Sequence, residues 1–295
     1  MLRSVGACVA AAVVLVLGGC SSSSTSNSPA SSSSGPNESA SGHALPTITL
    51  ATMPTGTATL SWDPNTRLIT AAVDMYGFTP SSSHAIHIHP GTCADQSQPP
   101  SVPFPDLVAD ASGAVKQNVV SAAVPDGIPT GAYLNIHLAP MAELGATTDV
   151  SFTPIACADI PAGTTPAGPV TLNAQAPPQQ DRTPQATATL TYDSTQHTLG
   201  VEVKATGLQP DSAHAVHMHS GSCAAQGDVV YPVPDLQADG TGATTTTTTT
   251  IDNVDAPPPA TRWYLNVHMG PMSQILNGST PTLLFAPILC GDVTQ

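Results

Sequence analysis

The chain has 295 residues, too many for one small domain and a comfortable length for two of moderate size. A hydrophobic share of 40% supplies packed cores and excludes wholesale disorder, while 30 prolines and 23 glycines interrupt the sequence too often for long helices. Six basic against twenty acidic side chains leave a net charge of −14, which argues against nucleic acid or an anionic membrane surface as partner.

Residues 1–19 read as an export signal. Arg3 gives a positive start, and the apolar stretch from Val5 to Leu17 is short for a bilayer span. The segment ends Leu17-Gly18-Gly19-Cys20, which resembles the lipobox of bacterial lipoproteins. That resemblance implies cleavage before Cys20, diacylation of its sulfur, and a mature protein held on the extracytoplasmic side of a bacterial membrane. An ordinary secretory signal that happens to end in cysteine is the alternative reading. Ser21–Gly42 is nearly all Ser, Gly, Asn and Pro, so residues 20–45 are expected to be the lipidated cysteine and a disordered tether.

Beyond the tether the chain repeats itself. Ala58–Cys93 aligns without a gap on Ala188–Cys223, pairing Leu60 with Leu190, Asp63 with Asp193, Gly77 with Gly207 and Cys93 with Cys223. Pro105-Asp106-Leu107 matches Pro234-Asp235-Leu236, and Tyr133-Leu-Asn-Ile-His137 matches Tyr264-Leu-Asn-Val-His268. Met141 pairs with Met272, and Cys157 with Cys290. Two domains are expected, 46–160 and 181–295, with a linker over 161–180. Short β-rich runs such as Leu68–Val73, Ala85–His89 and Tyr133–His137, bounded by turn residues, predict an antiparallel sandwich in each repeat. Thr244–Thr250 occupies the place of Ala114–Val120 and reads as a strand, on threonine's β-propensity, at a sheet edge.

With Cys8 lost in the signal and Cys20 lipidated, four cysteines remain and allow three pairings. The duplication favours Cys93–Cys157 and Cys223–Cys290, bonds that an exported compartment sustains. A thiolate metal site is the rival, but the chain has no closely spaced cysteine pair to build one.

Eight of the ten histidines fall in four matched pairs: His84/His214, His87/His217, His89/His219 and His137/His268. On a strand His87 and His89 share a face, as do His217 and His219, while His84 and His214 point the other way. Two imidazoles at i and i+2, joined by His137 or His268 from a later strand, predict a three-nitrogen metal site in each repeat. Such ligands suit copper, zinc, nickel or iron, and the affinity order of divalent ions taken alone favours copper(II). His84 and His214 are expected behind the ligands, bonded to backbone or to a ligand ring. The bland alternative is a set of core or surface histidines that only fill polar slots. His43 and His197 are expected to be solvated; Met141 and Met272 could offer a thioether, but gap-filling is the favoured reading. Tyr133, Tyr264, Trp62 and Trp263 read as packing residues with a polar tip.

The runs GFTPSSSHAIHIHPGTC and GLQPDSAHAVHMHSGSC resemble the copper strand of Cu/Zn superoxide dismutases. So do Pro105-Asp-Leu-Val-Ala-Asp-Ala-Ser-Gly113, Pro234-Asp-Leu-Gln-Ala-Asp-Gly240, the late-strand His137 and His268, and the segments around Cys157 and Cys290. The resemblance implies two tandem all-β Greek-key sandwiches with copper held by the matching histidines. Tyr133-Leu-Asn-Ile-His137 is also similar to a strand of CHRD (chordin-type) domains.

Departures from the dismutase pattern narrow the function. Ala94–Phe104 and Ala224–Val233 hold no histidine, so the zinc ligands of the dismutases are missing and zinc is not expected. Pro154 and Pro287 stand where that family places an arginine that guides superoxide. The leading expectation is therefore a membrane-anchored copper-binding protein that buffers or sequesters the ion. A copper-only superoxide dismutase and a metal-free CHRD-like interaction module are the alternatives. A metal ion and the membrane, through Cys20, are the expected partners.

Overall fold

In a computed structural model, residues 42–176, 182–245, 247–260 and 262–294 are described, and they lie within one unit, Ala40–Gln295. The signal, Cys20 and all but the last residues of the tether lie outside the described residues. The described chain is all-β, with three single-turn 3-10 helices. Among the described residues no helix is long and apolar enough to cross a membrane.

Sixteen main strands carry the architecture. Those of the first half are β1 (Ile48–Thr52), β2 (Thr55–Asp63), β3 (Leu68–Tyr76), β4 (Ile86–Pro90), β5 (Val102–Pro103), β6 (Ala114–Ala123), β7 (Ala132–His137) and β8 (Pro154–Asp159). They are followed by β9 (Val170–Asn173), β10 (Gln185–Asp193), β11 (Thr198–Thr206), β12 (Ala213–Ser222), β13 (Ala225–Gln237), β14 (Thr247–Asp252), β15 (Trp263–His268) and β16 (Pro287–Asp292). All pairings among them are antiparallel.

The strands form because burial alternates along them. In β3, Ile69, Ala71, Val73 and Met75 are buried while Ala72 and Asp74 face solvent, and β11 repeats the pattern with Leu199, Val201, Val203 and Ala205. The hairpins before them turn on a retained aspartate. Asp63 Oδ1 accepts the Asn65 amide, Asp193 Oδ1 accepts the Thr195 amide, and Arg67 and His197 take the left-handed corner at φ 59° and 53°. Gly77 is required by its surroundings: at φ +87° a Cβ there would drive into the Met53 sulfur.

In the second repeat the strands run β13-β12-β15-β16-β1-β10-β11-β14, one continuous sheet curled into a near-barrel. The first repeat follows the same order in two pieces, β5-β4-β7-β8 and β9-β2-β3-β6, joined by a bridge between Cys157 and Gln175. In this order β1 and β9 have changed places. β1 precedes the first repeat in sequence but inserts between β16 and β10 of the second, while β9, within the expected linker 161–180, pairs with β2 of the first. The cores follow the exchange: Ile48 and Leu50 pack with Leu190, Val203 and Leu289, and Leu172 packs with Leu60 and Leu134. The last residues of the expected tether are also ordered, because Leu45 has a core to enter. Its amide donates to the Leu190 carbonyl, and His43–Ala44 pair with Tyr192 and Thr191. The Thr-rich run ends in β14, the last strand of its sheet order.

Candidate metal centre

Strands β4 and β7, with β12 and β15 in the second repeat, are buried on both faces. Their inward residues, Ile86, Ile88, Leu134 and Ile136, join the first core. The opposite face carries His87 and His89 from β4 and Tyr133, Asn135 and His137 from β7. Register sets Tyr133 opposite His89 and Asn135 opposite His87. Tyr264 and Asn266 stand likewise opposite His219 and His217. A register irregularity between Ile136 and His137, and between Val267 and His268, lies where the third histidine leaves the ladder.

The structure brings His87, His89 and His137 into one buried cluster, and His217, His219 and His268 into another, with one ring nitrogen from each within 4.8 Å of the others. His217 Nδ1 and His268 Nε2 are 3.0 Å apart. Ligands about 2 Å from a shared ion sit roughly 3.5 Å apart, a separation close to that of the clustered nitrogens.

Four of the six rings tie their Nδ1 to a main-chain carbonyl outside the cluster. His89 Nδ1 bonds the Gln98 carbonyl at 3.0 Å, His137 Nδ1 the Phe152 carbonyl at 2.8 Å, His219 Nδ1 the Gly227 carbonyl at 3.0 Å, and His268 Nδ1 the Phe285 carbonyl. A carbonyl only accepts, so each Nδ1 carries the proton and each Nε2 presents a lone pair. His89 Nε2, His219 Nε2 and both nitrogens of His87 have no hydrogen-bond partner. Within the clusters the His217 Nδ1–H donates to His268 Nε2 and Asn135 Nδ2 lies 3.3 Å from His137 Nε2, contacts that a cation bound among the rings would replace.

Burial also keeps the rings neutral. Desolvation, with the neighbouring imidazoles as a smaller cause, lowers His87 and His217 to about 4. His268 falls to about 3 through desolvation and the nearby His217 and His219, despite its bond to the Phe285 carbonyl. His89, His137 and His219 are lowered for the same first reason. Neutral imidazole is the ligating form, so neither site must lose protons at neutral pH.

His84 and His214 lie behind the clusters. His84 Nδ1 bonds the backbone carbonyl of His137 at 3.0 Å and its Nε2 meets Ser82 Oγ at 2.6 Å; His214 does the same with His268 and Ser212. They hold the third histidine's main chain and are themselves kept neutral by desolvation, His84 at about 4. His43 and His197 are exposed, away from both clusters. Both disulfides, Cys93–Cys157 and Cys223–Cys290, are formed, and they suit an extracytoplasmic location. Tyr133 and Tyr264 sit between disulfide and cluster, stacked on His89 and His219 at ring distances of 5.2 and 4.9 Å. Trp62 packs on the first core with its Nε1 donating to the Val124 carbonyl, and Trp263 packs on the second core against Tyr231.

Met141 and Met272 correct the sequence reading, since neither fills a gap: they are 46% and 42% exposed. Their amides donate to Asp106 and Asp235, which fixes the turn after each late histidine and gives the repeated Pro-Asp-Leu a structural role. Asp159 and Asp292 act similarly, accepting the amides of Cys93 and Cys223. Sequence reading also passed over Asn135 and Asn266, although the repeated Tyr-Leu-Asn-x-His motif held the signal.

No curated protein matches the chain. Residues 169–270, which contain β9 through His268 and hence the whole second histidine cluster, match the family model of the CHRD domain.

Proposed function

We propose that this protein is an extracytoplasmic copper-binding protein, anchored to a bacterial membrane through Cys20, that buffers or sequesters the ion in two sites. His87, His89 and His137 would hold one ion, and His217, His219 and His268 the other. The observation that carries this reading is the convergence of three buried imidazoles in each cluster, one ring nitrogen from each within 4.8 Å of the others, with His89 Nε2, His219 Nε2 and both nitrogens of His87 lacking a hydrogen-bond partner. Three neutral imidazoles favour copper(II) among common divalent ions, and when bound it would supply a site able to change oxidation state. Each repeat, completed by the strand it takes from the other (β9 for the first, β1 for the second), is on this reading a Greek-key sandwich of the superoxide dismutase type. Holding is favoured over turnover because all six rings are at most 4% exposed, and because prolines stand where the dismutases carry arginine.

The CHRD match supports a second reading, a metal-free interaction module in which the histidines only bond to loops. Equilibrium dialysis against copper(II) separates the two. The copper reading expects two ions per chain and one after His217, His219 and His268 are all changed to alanine. Uptake no greater than that of a variant lacking both clusters leaves the interaction module standing. Superoxide turnover by the loaded protein, at a rate above that of free copper chelates, would restore the enzymatic alternative.

A further inference from the structure

The ligand face carries one more polar side chain in each repeat, an asparagine. Asn135 and Asn266 are 2% and 0% exposed. Each lies mid-strand, between a histidine of its cluster on one side (His87 or His217) and a disulfide cysteine on the other (Cys157 or Cys290). Yet Asn135 Oδ1 has no hydrogen-bond partner, and Asn266 has none at either end of its amide. A buried amide left unsatisfied destabilises a fold, and a leucine would occupy the same space without that loss. Both repeats keep the amide nonetheless.

Its direction is informative. Asn135 Nδ2 lies 3.3 Å from His137 Nε2, the nitrogen that faces the cluster, so the carboxamide is aimed into the site and not at a loop. The two ends of an amide exchange places by a half-turn about one bond, which would set the oxygen at that position. Three imidazoles would leave a copper(II) ion with open coordination positions, and an uncharged oxygen beside the set is a suitable weak ligand for it.

We propose that Asn135 and Asn266 each supply a fourth protein ligand, the amide oxygen, making both centres three-histidine, one-asparagine sites. This rests on the copper reading of the two clusters. A cation among these groups would meet the bare imidazole nitrogens and the bare amide oxygen together.

The test is electron paramagnetic resonance of the full chain loaded with two equivalents of copper(II), comparing wild type with Asn135→Leu and Asn135→Asp. Asn266 remains in both variants, so the second site serves as an internal reference. The leucine variant is expected to give a composite spectrum, half unchanged and half with altered copper hyperfine splitting. Its first site should bind copper about tenfold more weakly, the ratio that loss of one polar contact to a charged group supports. Aspartate keeps an oxygen donor and should hold copper at least as tightly as asparagine. A leucine variant whose spectrum and affinity superimpose on wild type overturns the proposal, as does an aspartate variant that loses copper from its first site. Wild type that takes up no copper is a different failure, one that removes the metal reading itself.

Discussion

Ala51, which precedes the first repeat, pairs in register with Cys290, the second cysteine of the second repeat. The pairing is half of a reciprocal exchange, since Gln175, from the segment before the second repeat, bridges to Cys157 of the first. Each disulfide therefore lies beside a strand borrowed from the other half of the sequence. The two repeats fold as partners, and the strand nearest the tether belongs to the distal site.

That exchange makes the location of a defect testable. Leu50 is buried in the second core, and Leu50→Ala should cost about 2–5 kcal/mol. Hydrogen exchange should show the loss in β10 and β16 while β2 and β3 keep their protection. Leu172→Ala should do the reverse. Loss of protection in β2 and β3 after Leu50→Ala would contradict the exchanged pairing.

Asp106 and Asp235 fix the turn that follows each late histidine by accepting the amides of Met141 and Met272. Replacing either with alanine should lower stability by about 1 kcal/mol, the value of an ordinary hydrogen bond, because these contacts face solvent and lose the extra strength of a charged acceptor. Chemical denaturation reads this directly. An unchanged midpoint would show that the loop is held without the carboxylate.

The strands and the histidine clusters were legible in sequence because their determinants are local. Alternation sets a face, and His87-Ile-His89 declares its face within three residues. The exchange was not legible. Ile48-Thr-Leu and Val170-Thr-Leu are near-equivalent strands, and each could have paired within its own repeat; the path of the chain decides, not the side chains. The partners that set the tautomers, at Gln98, Phe152, Gly227 and Phe285, are main-chain carbonyls and leave no mark on residue type. Asn135 was in plain view, but a single amide in an apolar run acquires meaning only from the buried face it occupies.

The lowered histidines give the metal-free protein a defined response to acid. The unfolded chain takes up protons on these rings near pH 6.5, whereas folded His87 and His217 do so only near 4 and His268 near 3. Between those limits the unfolded state binds more protons, so stability should fall as pH is lowered from about 6.5 towards 4. Thermal melts of the metal-free protein across roughly pH 4.5–7.5 should show a falling Tm towards acid, and changing all six triad histidines to glutamine should flatten the slope. A Tm that rises on acidification would contradict neutral, buried rings.

Copper K-edge X-ray absorption on protein loaded with two equivalents of copper(II) bears most directly on the two centres. The expected spectrum contains multiple scattering from three imidazoles, with nitrogen at about 2 Å, and loses it when His87, His89, His137, His217, His219 and His268 are replaced by alanine. Oxygen-only coordination, or a spectrum that survives the six replacements, would show that the histidine clusters do not hold the metal.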